Sequence, residues 1–298
     1  MRPANHSGLI GGYLRRLGVD HPSAPSVTAL RTLHRMHVEG VPYEALDIQL
    51  QRPTSLDPFV SARRIVRDHR GGYCYHLNGA FSVLLRALGY TVMWHRAGVQ
   101  NRSDPVAPGA EWANHLTLTV HGLNSDDCPS GVWLVDVGLG DALHDPLPLH
   151  PGSYRQGPFS YRLHRSGCEP GGWRFDHDPA GSFAGMDFRL QPATVSAFTE
   201  RHRYLSTSPD SGFVRTCCVQ RRDATGVDVL RGCVLGRTGS HNHRRTLDTQ
   251  AEWFEALADV FDLPLPDIGP HARRSLWNRV RRAHEAWLQT RPATLATP

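Results

Sequence analysis

The sequence predicts an α+β protein built of three parts in chain order: helices, then strands, then strands with helices. Three observations carry this. Apolar residues recur at helical spacing through the first ninety residues. From Thr91 the period changes to two, in short runs separated by Gly, Pro, Asn and Asp. Helical spacing returns after Thr246. Helices and strands segregated in this way belong to the α+β class, not to an alternating βαβ chain.

The elements follow in order. Leu9, Ile10, Tyr13, Leu14 and Leu17 share one helical face, and Gly18 stops the run. Leu30, Leu33, His34, His37 and Val41 give a second helix, ended by Pro42. After "RGG", Leu77, Phe81, Leu84, Leu85 and Leu88 form a continuous stripe closed by Gly89. "TVMWHRAGV", "HLTLTVHGL", "GVWLVDVGL" and "SYRLHR" predict strands, with residues 122–131 as an exposed hairpin loop. Further strands are predicted at 171–176, 212–221 and 226–235. Thr246 to Phe261 is helical. In the last helix Leu276, Val280, His284 and Trp287 make the inner face, and Arg273, Arg274, Arg281 and Arg282 the outer one. The tail "TRPATLATP" predicts a loose end, and no internal repeat is visible.

The totals narrow the function classes. The chain has 298 residues, 40% hydrophobic and 20% charged, the composition of a soluble globular protein. No apolar run approaches the roughly 20 residues of a membrane helix. "MRPANHSGLIGGYLRRLG" lacks a basic-then-apolar export signal, so a cytoplasmic location is expected. In that compartment Cys74, Cys128, Cys168, Cys217, Cys218 and Cys233 are expected as free thiols. The net charge of +5 suits an anionic partner such as a phosphorylated cofactor, or solubility alone. The Arg pairs at 221–222, 244–245, 273–274 and 281–282 are scattered and carry no nucleic-acid motif. No Cys-x-x-Cys pair exists, and "HVE" at 37–39 lacks a downstream Pro-Cys-x-x-Cys, so no metal is expected. "GVWLVDVGLGD" holds only a Gly-x-Gly and not the full dinucleotide pattern.

The chemistry centres on "RGGYCYHLNG". Cys74 falls in the first turn of a helix, where free N–H groups and the positive dipole end favour a thiolate. The same residue could be a small buried hydrophobe. A nucleophile needs a base, and the base an orienter. His76 is two residues away, faces another side of the helix, and is expected on its surface. His115 starts a strand whose alternation puts it with Thr117 and Thr119; it is a base, or an exposed strand-end histidine. Asp136 sits among Trp133, Leu134, Val135 and Val137, so it must find a donor: a histidine N–H, a turn, or an arginine.

These stretches resemble the arylamine N-acetyltransferases. "RGGYCYHLNGAF" is similar to that family's Arg-Gly-Gly-x-Cys helix start, "HLTLTV" to its histidine strand and "LVDVGLG" to its Val-Asp-x-Gly-Phe-Gly stretch. "LHRMHVEGVPYEALDI", "YLSTSPDSGFV" and "LWNRVRRAHEAWL" resemble further family segments, collinear over roughly residues 9–288. The resemblance implies an N-terminal helical bundle (1–92), a central β-barrel (93–205) and a C-terminal α/β lid (206–298). It also implies a papain-like triad of Cys74, His115 and Asp136. Tyr43, Tyr75 and Leu139 would line the acceptor pocket. Gly138, Gly140, Thr207 and Ser208 would lie at the coenzyme A site. The implied reaction is ping-pong transfer from acetyl-CoA, through acetyl-cysteine, to a small aromatic amine, hydrazine or N-hydroxyarylamine. It needs no metal, and a monomer or homodimer would serve. The chain departs from the family at His76 (usually Glu or Gln), Ala45 (usually Asn), Leu139 (usually aromatic) and the long 122–131 loop. The departures keep two alternatives in view. One is an amide synthase that closes a macrolactam from a carrier-bound thioester. The other is a binder of coenzyme A or a partner without turnover.

Overall fold

The computed structural model describes residues 4–20 and 24–290, so the predicted loose tail from 291 onward lies outside the described residues. The first part is helical: α1 (Ala4–Arg16), α2 (Val27–Gly40), a two-residue strand β1 (Tyr43–Glu44), α3 (Leu46–Gln49), α4 (Pro58–Asp68) and α5 (Cys74–Ala87). Local chemistry sets the boundaries. The Ser26 hydroxyl accepts the Ala29 N–H at 3.1 Å to start α2. Asp57 caps α4, with Pro58 at its first position. α5 is buried on every side from Cys74 to Leu85. It is the central helix, with Tyr13, Leu30, Leu33 and Ile65 packed around it.

The second part is an eight-stranded antiparallel sheet. Its strands are β2 (Thr91–Asn101), β3 (His115–His121), β4 (Trp133–Val135), β5 (Leu147–Pro148), β6 (Gly152–Gln156), β7 (Phe159–Arg165), β8 (Trp173–Asp176) and β9 (Phe183–Pro192). They lie in the order β5-β4-β3-β2-β9-β8-β7-β6. The sheet curls into a nearly closed barrel around one core, in which Leu134 and Leu147 from one edge share a cluster with Tyr161 and Phe175 from the other. The 122–131 segment is the expected hairpin connection. It joins β3 to β4 with Gly122, Asn124, Asp126, Asp127, Pro129 and Ser130 exposed, as expected, but Leu123 and Cys128 are buried and Ser125 and Cys128 exchange backbone bonds of 3.2 and 3.0 Å, so the exposed connection is anchored and compact.

The third part holds α6 (Thr199–Thr207), α7 (Gly212–Arg215), β10 (Cys218–Asp223), β11 (Gly226–Arg231), β12 (Val234–Gly239), β13 (His243–Thr246), α8 (Gln250–Phe261) and α9 (Pro270–Gln289). The strand predicted at 212–221 begins only at Cys218. The Ser211 hydroxyl accepts the Phe213 N–H and turns 212–215 into a short helix. The run predicted at 226–235 is two strands, broken at Gly232 with φ +59. The sheet order is β1-β10-β11-β12-β13, so Tyr43 and Glu44 from the helical part complete the C-terminal sheet. In α9 Leu276 and Val280 enter the core, but Trp287 is 41% exposed. Among the described residues, no helix is long and apolar enough to cross a membrane.

Candidate active site

The segment before α5 is held by an ion-pair network. The buried Glu44 carboxylate accepts from Arg64 at 2.6 Å, from Arg70 at 3.1 and 3.2 Å, and from the Leu46 N–H at 2.6 Å. Burial acts to raise its pKa, but Arg70 and Arg64 outweigh it and hold the carboxyl at about 2. The glycines that follow are there for close approach. A side chain on Gly71 would run into the Pro42 carbonyl, and one on Gly72 into the His76 ring. The Gly72 carbonyl accepts the Glu44 N–H at 2.9 Å, which ties the helix start to β1. α5 then begins at Cys74, and Tyr73 supplies no side-chain cap to its first turn.

Cys74, His115 and Asp136 come together. The His115 Nε2 lies 2.7 Å from the Asp136 Oδ2, which turns Nδ1 toward the thiol. The Cys74 Sγ is 3.7 Å from the carbonyl of Asn114, the residue before His115. All three side chains are buried. Burial acts to lower the imidazole, but the Asp136 carboxylate and the Cys74 thiol on its two sides raise it to about 10. Burial acts to raise Asp136, yet His115 and hydrogen bonds hold it below the usual carboxylate range.

Asn78, which the sequence reading passed over, fixes this geometry. It lies one turn after Cys74 on α5 and is fully buried. Its Nδ2 donates to the Asp136 Oδ1 at 2.7 Å and to the Leu116 carbonyl at 2.6 Å, and its Oδ1 accepts the Val137 N–H at 2.9 Å. One amide thus joins the cysteine helix, the histidine strand and the aspartate loop. The signal in the sequence was a polar side chain one turn after Cys74 in a mostly apolar helix. The same bonds explain why the strand predicted over "GVWLVDVGL" stops at Val135. Asn78 takes the Val137 N–H and Asp136 takes the Gly138 N–H at 2.9 Å, so those donors leave the sheet.

The Cys74 thiol opens onto a cleft of about 720 Å³, which Tyr43, His115, Gly138 and Leu139 also line. Gly138 packs so closely on Cys74 that a Cβ there would stand 2.7 Å from the Cys74 Cα. The other expected residues fall elsewhere. Tyr75 is buried and donates its hydroxyl to the Ala113 carbonyl at 2.6 Å, away from the cleft. Gly140, at φ +73, packs on the Gln220 amide beside a small void of about 10 Å³ that shares Tyr43, Leu139 and Gln220 with the cleft. The Thr207 hydroxyl donates to the Arg203 carbonyl and the Ser208 hydroxyl accepts the Asp210 N–H, both outside the cleft lining. His76, expected on the helix surface, is 3% exposed because α5 has no free face. Its ring stands edge-on to Tyr73 at 4.5 Å. A second chamber of about 400 Å³ adjoins the cleft through shared residues Ser182, Thr216, Gln220 and Arg231. Val280, His284 and Trp287 of α9 border it; Val280 also belongs to the core, so only His284 and Trp287 of the predicted inner stripe line a chamber and not the core.

Comparison with known proteins agrees with this arrangement. Residues 26–268 match the family model described as N-acetyltransferase. An arylamine N-acetyltransferase from Mycolicibacterium smegmatis is 30% identical over 276 residues, covering 87% of this chain and 93% of the relative. The crystal structure of Nocardia farcinica arylamine N-acetyltransferase superposes with a TM-score of 0.80 at 29% identity, over 93% of this chain and 97% of that one. The Mycobacterium marinum enzyme in complex with CoA superposes at 0.79 with 25% identity, over 92% and 99%. With a cysteine and a histidine on its cleft and a buried aspartate behind the histidine, this chain belongs to the arylamine N-acetyltransferase family and is an acyltransferase of that family.

Proposed function

We propose that the protein moves an acetyl group from acetyl-CoA, through acetyl-Cys74, to the nitrogen of an arylamine, hydrazine or N-hydroxyarylamine. The observation that carries the proposal is the buried line from the Cys74 thiol through His115 to Asp136, with 2.7 Å between imidazole and carboxylate. His115 takes the thiol proton, and the sulfur attacks the thioester carbonyl. The Cys74 and Tyr75 N–H groups receive the oxyanion, since no side chain caps them and the His76 and Leu77 N–H groups are already bonded to the Tyr73 carbonyl. Collapse breaks the bond to coenzyme A, whose sulfur takes the proton from His115. The amine then attacks acetyl-Cys74, His115 accepts its proton, and the carbon–sulfur bond breaks to free the amide and the thiol. Tyr43 and Leu139 face the acceptor, and Gly138 flanks the thioester. Of the four residues expected at the donor site, Gly138 is the one that lines the cleft.

The names of the relatives support this reading. A Salmonella typhimurium relative, 34% identical over 163 residues, is described as arylamine N-acetyltransferase and N-hydroxyarylamine O-acetyltransferase. All six cysteines are unpaired, in keeping with a reducing cytoplasm. The adjoining 400 Å³ chamber also favours a second reading, an amide synthase with a larger thioester-bound acyl chain. The test is intact mass after mixing with acetyl-CoA and with longer acyl-CoA thioesters, followed by an amine and hydrazine panel. One acetyl adduct on wild type, none on Cys74→Ala, and release of the acetyl to an arylamine support the proposal. An adduct formed only by long acyl donors moves the protein to the second reading. No adduct from any donor leaves a binder without turnover.

A further inference from the structure

Three barrel strands run from the catalytic cleft to a different pocket at their other ends. Val99 of β2, His115 of β3 and Phe183 of β9 line the cleft. Met93, His121 and Leu190 of the same three strands line a pocket of about 290 Å³, which shares no residue with the cleft. From His115 to His121 the strand advances six residues, about 20 Å. Val132, Leu149 and the buried Trp173 complete the apolar wall of this pocket. Met93 and Leu190 are each 38% exposed, so apolar surface stands open to water here.

The polar groups of the pocket are His95, His121, Ser130 and Arg165, with no carboxylate among its lining residues. The Arg165 guanidinium lies 4.2 Å over the Trp173 ring. Among the described residues no carboxylate stands within 4.0 Å of it and its side chain makes no hydrogen bond. The Trp173 Nε1 is buried without an acceptor. The histidines are ordered by a chain of bonds. The Gln191 carbonyl, 3.4 Å from the His95 Nδ1, can only accept, so that nitrogen carries the hydrogen. The His95 Nε2 then accepts the Thr119 hydroxyl at 2.7 Å, and the Thr119 oxygen accepts the His121 Nε2–H at 2.8 Å. The chain ends on the His121 Nδ1, which has no partner among the described residues. We propose that this pocket is a second ligand site for a small apolar monocarboxylate, whose chain or ring lies on Met93, Leu190 and Trp173 and whose carboxylate meets Arg165 and His121. The planar fork of an unpaired arginine suits a carboxylate, and no lining acid repels it. Burial holds His121 below its ordinary value, so the neutral ring takes a proton from solvent as the anion arrives, and its Nδ1–H donates to the second oxygen. The other titratable groups facing it are His95, kept neutral at about 4 by burial, and Arg165. Binding therefore tightens as pH falls from 7 toward 6. The site is independent of the acetyl-transfer reading.

The experiment titrates octanoate and the uncharged octanamide into Cys74→Ala protein by calorimetry, at about pH 6 and about pH 7, with and without saturating coenzyme A. Octanoate is expected to bind tighter at the lower pH, and equally well with coenzyme A in the cleft. The amide is expected to bind at least about tenfold more weakly, the size of a lost charge-assisted hydrogen bond. Arg165→Gln removes that preference and Arg165→Lys recovers part of it. His121→Leu removes the pH dependence. Both substitutions lie far from the cleft. No octanoate binding up to about 10 mM overturns the proposal. Equal binding of acid and amide overturns it too, as does a preference that survives Arg165→Gln. Displacement of octanoate by coenzyme A places it in the cleft and overturns the second site. A pH dependence that persists in His121→Leu removes the imidazole from the site and overturns the proposal as stated.

Discussion

Two buried imidazoles flank the first turn of α5 and are treated in opposite ways. His115 sits between a carboxylate and a thiol and is raised to about 10. His76 has no hydrogen-bond partner on either nitrogen, and burial, aided by Arg64 and His202, lowers it to about 3. Both rings are 3% exposed, so burial alone does not decide the charge of either. Partners decide it: the same desolvation is overcome where an aspartate has been brought in, and rules where none has. The difference also separates the chemistry from the packing. On one side every polar atom of the aspartate is engaged; on the other an imidazole is used as an aromatic wedge against Tyr73.

The largest effect should come from removing the partner that makes His115 different. Asp136→Asn keeps the shape and takes away the charge. Activity is expected to fall about 10³–10⁴-fold, by the loss of charge and tautomer control seen in triads. The alkaline limb of acetyl-enzyme formation offers a sharper measure. In wild type it should lie near 10, where His115 gives up its proton, and in Asp136→Asn it should move toward neutrality. A limb that stays in place would mean that the carboxylate does not control the imidazole.

Much of this contrast was legible in the sequence, and its failures share a cause. Cys74, His115 and Asp136 were each marked by a local pattern: a glycine pair at a helix start, a histidine at a strand start, a carboxylate in an apolar run. What local pattern cannot show is which helix has no free face. Spacing alone put His76 on a surface that α5 does not possess, and the family resemblance implied an acceptor-pocket role for Tyr75, whose hydroxyl is turned to Ala113. The strand predicted over 212–221 failed because one hydroxyl, Ser211, caps a helical turn inside an alternating run. Asn78 was missed because its partners come from residues 116, 136 and 137, which only the fold brings within 3 Å.

Asn78 tests whether satisfied polar groups are what separates the two sides. Asn78→Leu fills the space but strands the Val137 N–H and takes a donor from Asp136. Leaving buried partners unpaired should cost about 2–4 kcal/mol of stability, read by urea unfolding. In the variant that remains folded, the alkaline limb should again shift downward, since a less firmly held Asp136 supports the imidazolium less. Unchanged stability and an unchanged limb would place the control of the triad elsewhere.

His76→Leu probes the other side and should have the smallest effect. A neutral imidazole always carries one N–H, and here it is buried without an acceptor, at a cost of about 1–3 kcal/mol. Leucine removes that cost and gives back only the edge contact with Tyr73, so stability at neutral pH should rise slightly or hold. The pH dependence carries the sign. A folded-state value of about 3 against an ordinary 6.5 means that the unfolded chain binds the proton first. His76 therefore contributes a loss of stability that grows as pH falls from 6.5 toward 3. It does so opposite Arg64 and His202, with Glu44 the one nearby carboxylate in its favour. The leucine variant should flatten that slope and leave acetyl-enzyme formation intact. If it instead abolishes acetylation while the fold holds, His76 is no packing residue, and the division between the two sides of α5 has been drawn in the wrong place.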